Sequence, residues 1–296
     1  MDQRSVMVES AIGIAEKAGC GHIFIFLDTV SDCKWFSRQK FYGDSRMAVV
    51  VPRALAFSEK ALAKKASGVI RNWPGNQSRF SRIKYAFLQG VYDGVITPED
   101  RIVCVLGPSG KSHLDTVTIH DLSLSWSEEF PFEVKPLFDT GFFHTIMAVI
   151  DIALDVGALG REGKPVGTIF VIGDSNTVMK HSHQAVFNPF RGYDKKERMI
   201  SRPEVVESLK ELAKLDGAIV VSADGKVEAA GRHLDAGGKK SSSFRGLGAR
   251  HRAGAGITLE TAAVSVVVSE STGRLTIFHR GKPLASLEPL ISRRLM

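Results

Sequence analysis

An α/β protein of two domains is the fold class that this sequence predicts, and three observations point to it. Helical and strand-like patterns alternate through residues 1–125, the periodicity fades between Ser123 and Phe138, and a new helical pattern begins near Asp139 and leads into short strands and hairpins. A chain of 296 residues, 44% hydrophobic and 24% charged, is long enough to bury two cores of this kind.

In the first domain, 1–125, one-sided apolar spacing predicts a helix over 5–18, and apolar runs predict strands over 22–27 and 47–51. A helix over 53–65, a short strand over 68–70, a helix over 79–90 and strands over 102–106 and 116–119 complete it, an order that suggests a mostly parallel sheet. Residues 126–138 read as a linker, because the Pro residues and acidic pairs around Trp126-Ser127-Glu128-Glu129-Phe130-Pro131 interrupt both periods.

The second domain, 139–296, opens with a helix that carries Ile146, Val149, Ile150, Ala153 and Leu154 on one face and ends before Gly157 or Gly160. A β-branched strand over 168–172 follows, then a long polar stretch from Gly173 to Pro203. Pro203 in a first turn, with Val205, Val206, Leu209, Leu212 and Ala213 behind it, predicts a one-sided helix that runs into Asp216. Strands over 218–222 and 226–230 turn at Asp224-Gly225, and a glycine- and serine-rich segment spans 235–248. A helix then begins at Ala249 or Arg250, and a hairpin over 263–269 and 275–279 turns at Ser271-Thr272-Gly273.

Composition narrows the function classes. The longest apolar runs fall far short of the roughly 20 residues that a membrane span needs, and Met1-Asp2-Gln3-Arg4 lacks the start of a signal peptide, so a cytoplasmic location is expected. Cys20, Cys33 and Cys104 lack the close pairing of a zinc or redox motif and read as buried free thiols. A net charge of +7 suits an anionic partner, whether nucleic acid, an acidic lipid surface or a polyphosphate substrate.

Three places could carry chemistry. Asp216-Gly217 lies between a helix and a buried strand, where a carboxylate can be held at the lip of a sheet, though the same pair also makes a common turn after a helix. Small Ala218 lets the backbone approach a flat ligand. Gly246-Leu247-Gly248-Ala249 followed by Arg250-His251-Arg252 puts amide donors and three potential cations at a helix start, a strong recipe for binding phosphate. Ser269-Glu270 ends an apolar strand, where the carboxylate could hold a nearby Arg in its working orientation; a plain hairpin loop is the other reading.

Other motifs fade. Gly107-Pro108-Ser109-Gly110-Lys111-Ser112 looks like a phosphate loop but has Val105 where the first glycine belongs, so it reads as a strand-to-loop turn that could still bind an anion. His181 and His183 lack an acidic or Cys partner at metal-ligand spacing. Arg79, Arg82 and Lys84 read as the solvated face of an amphipathic helix.

Taken together, Leu215 to Ser222, Ala230-Gly231-Arg232-His233-Leu234, Gly246 to Arg252 and Val268-Ser269-Glu270 resemble the diadenylate cyclase family, closest to its archaeal branch. The likeness covers about Asp139 to Lys282. It implies a C-terminal cyclase domain with a central mixed sheet flanked by helices, behind an N-terminal three-layer α/β domain similar to the C-terminal domain of pyruvate kinase. It further implies that two ATP become cyclic di-AMP with Mn²⁺ or Mg²⁺. Asp216 would hold the metal and activate the ribose 3′-hydroxyl, Gly217 and Ala218 would contact nucleotide through backbone, and Leu234 would pack on adenine. Gly248 and Ala249 would line the ATP site, Arg250, His251 and Arg252 would bind the triphosphate, and Ser269 and Glu270 would close its phosphate side. Two features depart from the family pattern: Ala249 stands where many members have Thr, and Leu215 where some have His.

The chemistry also imposes a partner. Each ATP must present its 3′-hydroxyl to the other's α-phosphate, so two protomers must meet face to face about a two-fold axis, and such dimers could assemble into a hexamer or larger particle. Two rival functions are a nucleotide-binding sensor without turnover and a nucleic-acid-binding protein. Neither a membrane nor nucleic acid is the expected partner.

Overall fold

The structure, a computed structural model, describes residues 2–39, 44–55, 62, 66–72, 78–124, 132–160, 165–235 and 248–289. The chain divides into two compact units, Met1–Ser125 and Trp126–Met296.

In the first unit, helix α1 (Gln3–Ala18) is capped by the Asp2 carboxylate at its start and by Gly19, at φ 65°, at its end. Strand β1 (His22–Phe26) leads to α2 (Val30–Phe36), a seven-residue helix that the sequence reading did not anticipate. Its start is held by a capping box in which Thr29 and Asp32 satisfy each other's backbone amides. Strands β2 (Met47–Pro52) and β3 (Gly68–Asn72), helix α3 (Arg79–Tyr92), and strands β4 (Arg101–Leu106) and β5 (Thr116–Asp121) complete the unit. Arg53–Leu55 form a turn after β2, and most of the helix expected over 53–65 lies outside the described residues.

The sheet order is β3-β2-β1-β4-β5, all neighbours parallel except β4 and β5, so the mostly parallel sheet is as expected. Ile23, Ile25, Val49, Val51, Val103 and Val105 share one apolar cluster with Val8 and Ala11 of α1 and Cys33 and Phe36 of α2. The alternate residue Phe24 meets Phe87 of α3, with ring centroids 5.8 Å apart, so the helices form a layer on each face. All three cysteines are buried and free.

One expectation fails here. Arg82 and Lys84 are buried, at 4% and 2% exposure, and α3 is covered from Ser81 to Val91. Arg82 is neutralised inside the unit by Asp28 at 2.5 Å and donates to the Gly107 carbonyl, so it belongs to the core and not to a solvated face.

The second unit begins with what was expected to be linker. Phe132, Val134 and Leu137 are fully buried, Phe132 bridges to Ala285, and the Glu133 amide donates to the Leu284 carbonyl at 2.7 Å. The described end of that segment, including α4 (Lys135–Phe138), is therefore part of the second core. Helix α5 (Phe143–Leu159) follows, with Ile146, Val149, Ile150, Ala153 and Leu154 buried as expected. Next come β6 (Thr168–Ile172), α6 (Ser175–Lys180), β7 (Ser182–Gln184), α7 (Pro203–Leu212), β8 (Ala218–Val221) and β9 (Val227–Leu234). The unit closes with α8 (Ala249–Glu260), β10 (Val264–Val268), β11 (Leu275–His279) and β12 (Lys282–Leu287).

These strands form a sheet of order β12-β11-β10-β6-β8-β9-β7, in which β6 and β8 are parallel and every other pair is antiparallel. The mixed sheet flanked by helices is thus present: α6 and α8 cover one face through Val178, Ala255 and Ile257, while α5 packs on β6 and β10 with α7 beside it. Register brings functional chain segments to one edge. Val268 pairs with Thr168 and Arg232 pairs with Ala218, so the carboxyl ends of β9 and β10 stand beside the amino ends of β6 and β8.

In the first unit, His120 contacts the Phe87 ring and burial pushes its pKa down to about 4. A histidine depressed below its unfolded value stabilises the fold above pH 6.5 and loses that contribution as pH falls toward 4. Chemical unfolding of the full chain should therefore show the first unit weakening over that window by on the order of 3 kcal/mol, and His120→Gln should flatten the slope.

Candidate active site

Five segments converge on the edge just described. Helix α7 ends at Leu212, and a tight turn through Lys214 and Leu215 delivers Asp216 to the lip of β8, its side chain 93% exposed. Two residues later Ala218 is 1% exposed, so the chain passes from water to core within one step of the strand. Gly217 makes this possible. It sits at φ 108°, and a Cβ there would lie 2.6 Å from the carbonyl carbon of Gly231 on β9. Gly231, itself at φ 69°, has Val186 packed where its own side chain would begin.

Arg250 is the second residue of α8. Its Nη2 donates to Asp216 Oδ1 at 3.2 Å and its Nη1 to Glu270 Oε2 at 2.5 Å. One guanidinium thus joins the carboxylates at the ends of two strands, and the expected arginine-holding role of Glu270 has a direct contact behind it. Gly167, at the entry to β6, forms the floor: a Cβ at that position would stand 2.8 Å from Arg250 Nη1 and 2.9 Å from Glu270 Cβ. Nothing local in the sequence marks Gly167, a glycine whose missing side chain is needed by residues 83 and 103 positions away.

The neighbouring residues take different positions. Gly248 and Ala249 are exposed at the start of α8, and Gly248, the N-cap, provides no side-chain bond. Arg252 is exposed one residue beyond His251. His251 turns toward β11, where its Nε2 lies 3.4 Å from Thr276 Oγ1 and its ring meets the edge of Phe278 at 6.1 Å. Burial first, and Arg274 second, hold its pKa below the ordinary histidine value, which favours the neutral imidazole at pH 7. Ser269 contacts Ser271 across the hairpin turn at 3.1 Å. Leu234 is 7% exposed, within the apolar cluster of β6, β8 and α8. Gly246 and Leu247 lie outside the described residues.

The motifs that faded in the sequence also find places. The Gly107–Ser112 loop already has an anion of its own: Asp28 accepts from the Gly110 amide at 3.0 Å, and Asp32 accepts from Ser112 Oγ. His181 and His183 do have acidic partners, Glu260 at 3.0 Å and Asp235 at 2.7 Å, both too distant in sequence to be read as a motif. Among the described residues no group of three or more His, Cys, Asp or Glu is arranged to hold a metal ion, and no helix is long and apolar enough to cross a membrane.

Residues 156–283, which contain every residue of this edge, match the family described as DisA bacterial checkpoint controller nucleotide-binding. A diadenylate cyclase of Methanocaldococcus jannaschii is 35% identical over 196 residues, 66% of this chain and 62% of that one. A diadenylate cyclase of Haloferax volcanii is 32% identical over 208 residues, 70% of this chain and 75% of that one. This chain belongs to the diadenylate cyclase family. It spans less than two thirds of the first relative's length. Among solved structures, a hypothetical membrane spanning protein from Bacillus cereus aligns at a TM-score of 0.32 and 20% identity, over 53% of this chain and 64% of that one, a likeness too distant to build on.

Within the family edge, Gly217 should tolerate no side chain. Gly217→Ala should cost about 2 kcal/mol or more in urea unfolding, from a strained φ and a backbone collision. Gly248→Ala, with φ −63° and open space around the new Cβ, should cost no more than about 1 kcal/mol.

Proposed function

We propose that this chain is a diadenylate cyclase that condenses two ATP into cyclic di-AMP and two pyrophosphates. The observation that carries the reading is the Asp216–Arg250 pair, 3.2 Å apart at the exposed lip of the sheet. A carboxylate for a hydroxyl proton and a cation for a phosphate are the two groups that the reaction requires.

In this mechanism Asp216 accepts the proton of a ribose 3′-hydroxyl, whose oxygen forms a bond to the α-phosphorus of the second ATP while the bond to pyrophosphate breaks. Gly217 and Ala218 approach the nucleotide through backbone, with Leu234 in the apolar cluster behind them. Arg250 and Arg252, with the amides at Gly248 and Ala249, receive the phosphates and the charge that gathers on the departing pyrophosphate. His251, neutral and packed on β11, orients the helix start instead of adding charge. Ser269 and Glu270 close the phosphate side.

Asp216 offers oxygen donors, which suit a hard cation such as Mn²⁺ or Mg²⁺. Such an ion, entering with the triphosphate, would supply charge to its oxygens. Catalysis needs two sites face to face, so the active species is a dimer or an assembly of dimers.

Purified chain given ATP and Mn²⁺ should form cyclic di-AMP. Asp216→Asn should lower turnover by at least about a hundredfold while ATP affinity changes little. ATP binding by the parent without any cyclic dinucleotide in any metal would overturn the reading and leave a nucleotide sensor.

A further inference from the structure

Arg250 is a long side chain near the first turn of an exposed helix start, and such a side chain samples many rotamers unless something restrains it. Here two different nitrogens are engaged by two carboxylates from two different strand ends, which fixes the plane of the guanidinium as well as its position. The restraint has a third wall. Thr168 pairs with Val268, so Gly167 and Ser269 lie side by side just beyond the sheet, and the space above Gly167 is filled by Arg250 Nη1, by its Cζ at 3.0 Å from where a Cβ would be, and by Glu270 Cβ.

We infer that Gly167 and Glu270 are positioning residues which together form a slot that holds Arg250 at Asp216, ready to transfer to an incoming triphosphate. This rests on the cyclase reading of the site. Exposed ion pairs are weak, so the slot orients Arg250 without trapping it. A more highly charged triphosphate can draw the guanidinium away, which releases Asp216 for the 3′-hydroxyl. Neither residue touches the reacting atoms in this role; both act through Arg250.

Gly167 allows a test, because its φ lies outside the left-handed region and the nearest atom that a new methyl group would meet, Arg250 Nη1, is the far end of a flexible side chain, while Glu270 Cβ at 2.9 Å must give by a few tenths of an ångström. Gly167→Ala should therefore push the guanidinium out of place, and Glu270→Ala reads the same slot without that backbone-linked contact. In the full-length chain, kcat and KM for ATP would be measured with Gly167→Ala, Glu270→Ala, Glu270→Gln and the Gly167→Ala/Glu270→Ala double variant, alongside melting temperature and affinity for 3′-deoxy-ATP, which binds but cannot attack. Each single alanine variant should lower kcat by about tenfold or more, with melting temperature within about 2 °C of the parent. The double variant should be within about threefold of the worse single, since both act on one side chain. Glu270→Gln, which keeps an acceptor oxygen, should recover part of the loss. Parental kcat in Gly167→Ala, or losses that multiply in the double variant, would overturn the slot. If the parent itself makes no cyclic dinucleotide, the cyclase reading falls separately, and the slot is then decided by 3′-deoxy-ATP affinity: a several-fold loss in Gly167→Ala upholds it and parental affinity overturns it.

Discussion

The close approach of Gly217 to Gly231 is the constraint on which the site depends. Two backbones meet where side chains would otherwise separate them, and the β8–β9 ladder shifts register just beyond, between Ala218 and Val220. Because the strand enters the sheet this abruptly, Asp216 stays in water while Ala218 is already sealed in the core. A bulkier residue at either glycine would separate the strands or tilt Asp216 away from Arg250. Rigidity beneath and exposure above are thus produced by the same contact, which on the cyclase reading is what Asp216 requires to meet its substrate.

The two units use arginine–carboxylate pairs for opposite purposes, and burial decides which. Asp28 and Arg82 are 7% and 4% exposed; removing either partner would strand a charge in the core at a cost of about 3–5 kcal/mol. That pair also ties down the loop after β4, through Gly107 and Gly110. Two donors that a phosphate loop would offer, the Gly110 amide and the Ser112 hydroxyl, are spent on Asp28 and Asp32. Arg250, by contrast, is a third exposed and its partners more so, where an ion pair is worth about 0–1 kcal/mol and can exchange for a ligand.

What could be read from sequence followed from how local each cause was. The helices with one clear apolar stripe, α5 and α7, and the hairpins with glycine turns stand close to where their patterns put them, since short-range periodicity and positive φ are sufficient causes. The missed elements are short or polar. Helix α2 relies on a capping box, β7 has three residues and only Ser182 inward, and β12 carries Pro283, which is tolerated because β12 is the outermost strand of the described sheet. The same division holds at the site. Asp216, Arg250 and Glu270 could be singled out by residue type, whereas the burial of Arg82 and Lys84, the turn of His251 onto β11 and the packing of Arg250 and Glu270 over Gly167 are properties of the packed molecule.

The direction of the strands explains why the site opens outward. In a purely parallel sheet, ligands gather beyond the carboxyl ends of the strands. Here the parallel pair β6 and β8 contributes its amino ends, and the antiparallel neighbours β9 and β10 bring their carboxyl ends to the same line. The result is a row of strand termini and one helix start, without a second wall: Leu215 is half exposed beside Asp216, and Glu270 points into solvent from a hairpin turn. On the proposed reading such a rim grips one triphosphate, yet a reaction between two nucleotides needs the second held opposite at bonding distance. On the cyclase reading the missing wall is another copy of the same rim, so the openness that would weaken a solitary enzyme is the feature that lets two of them complete each other.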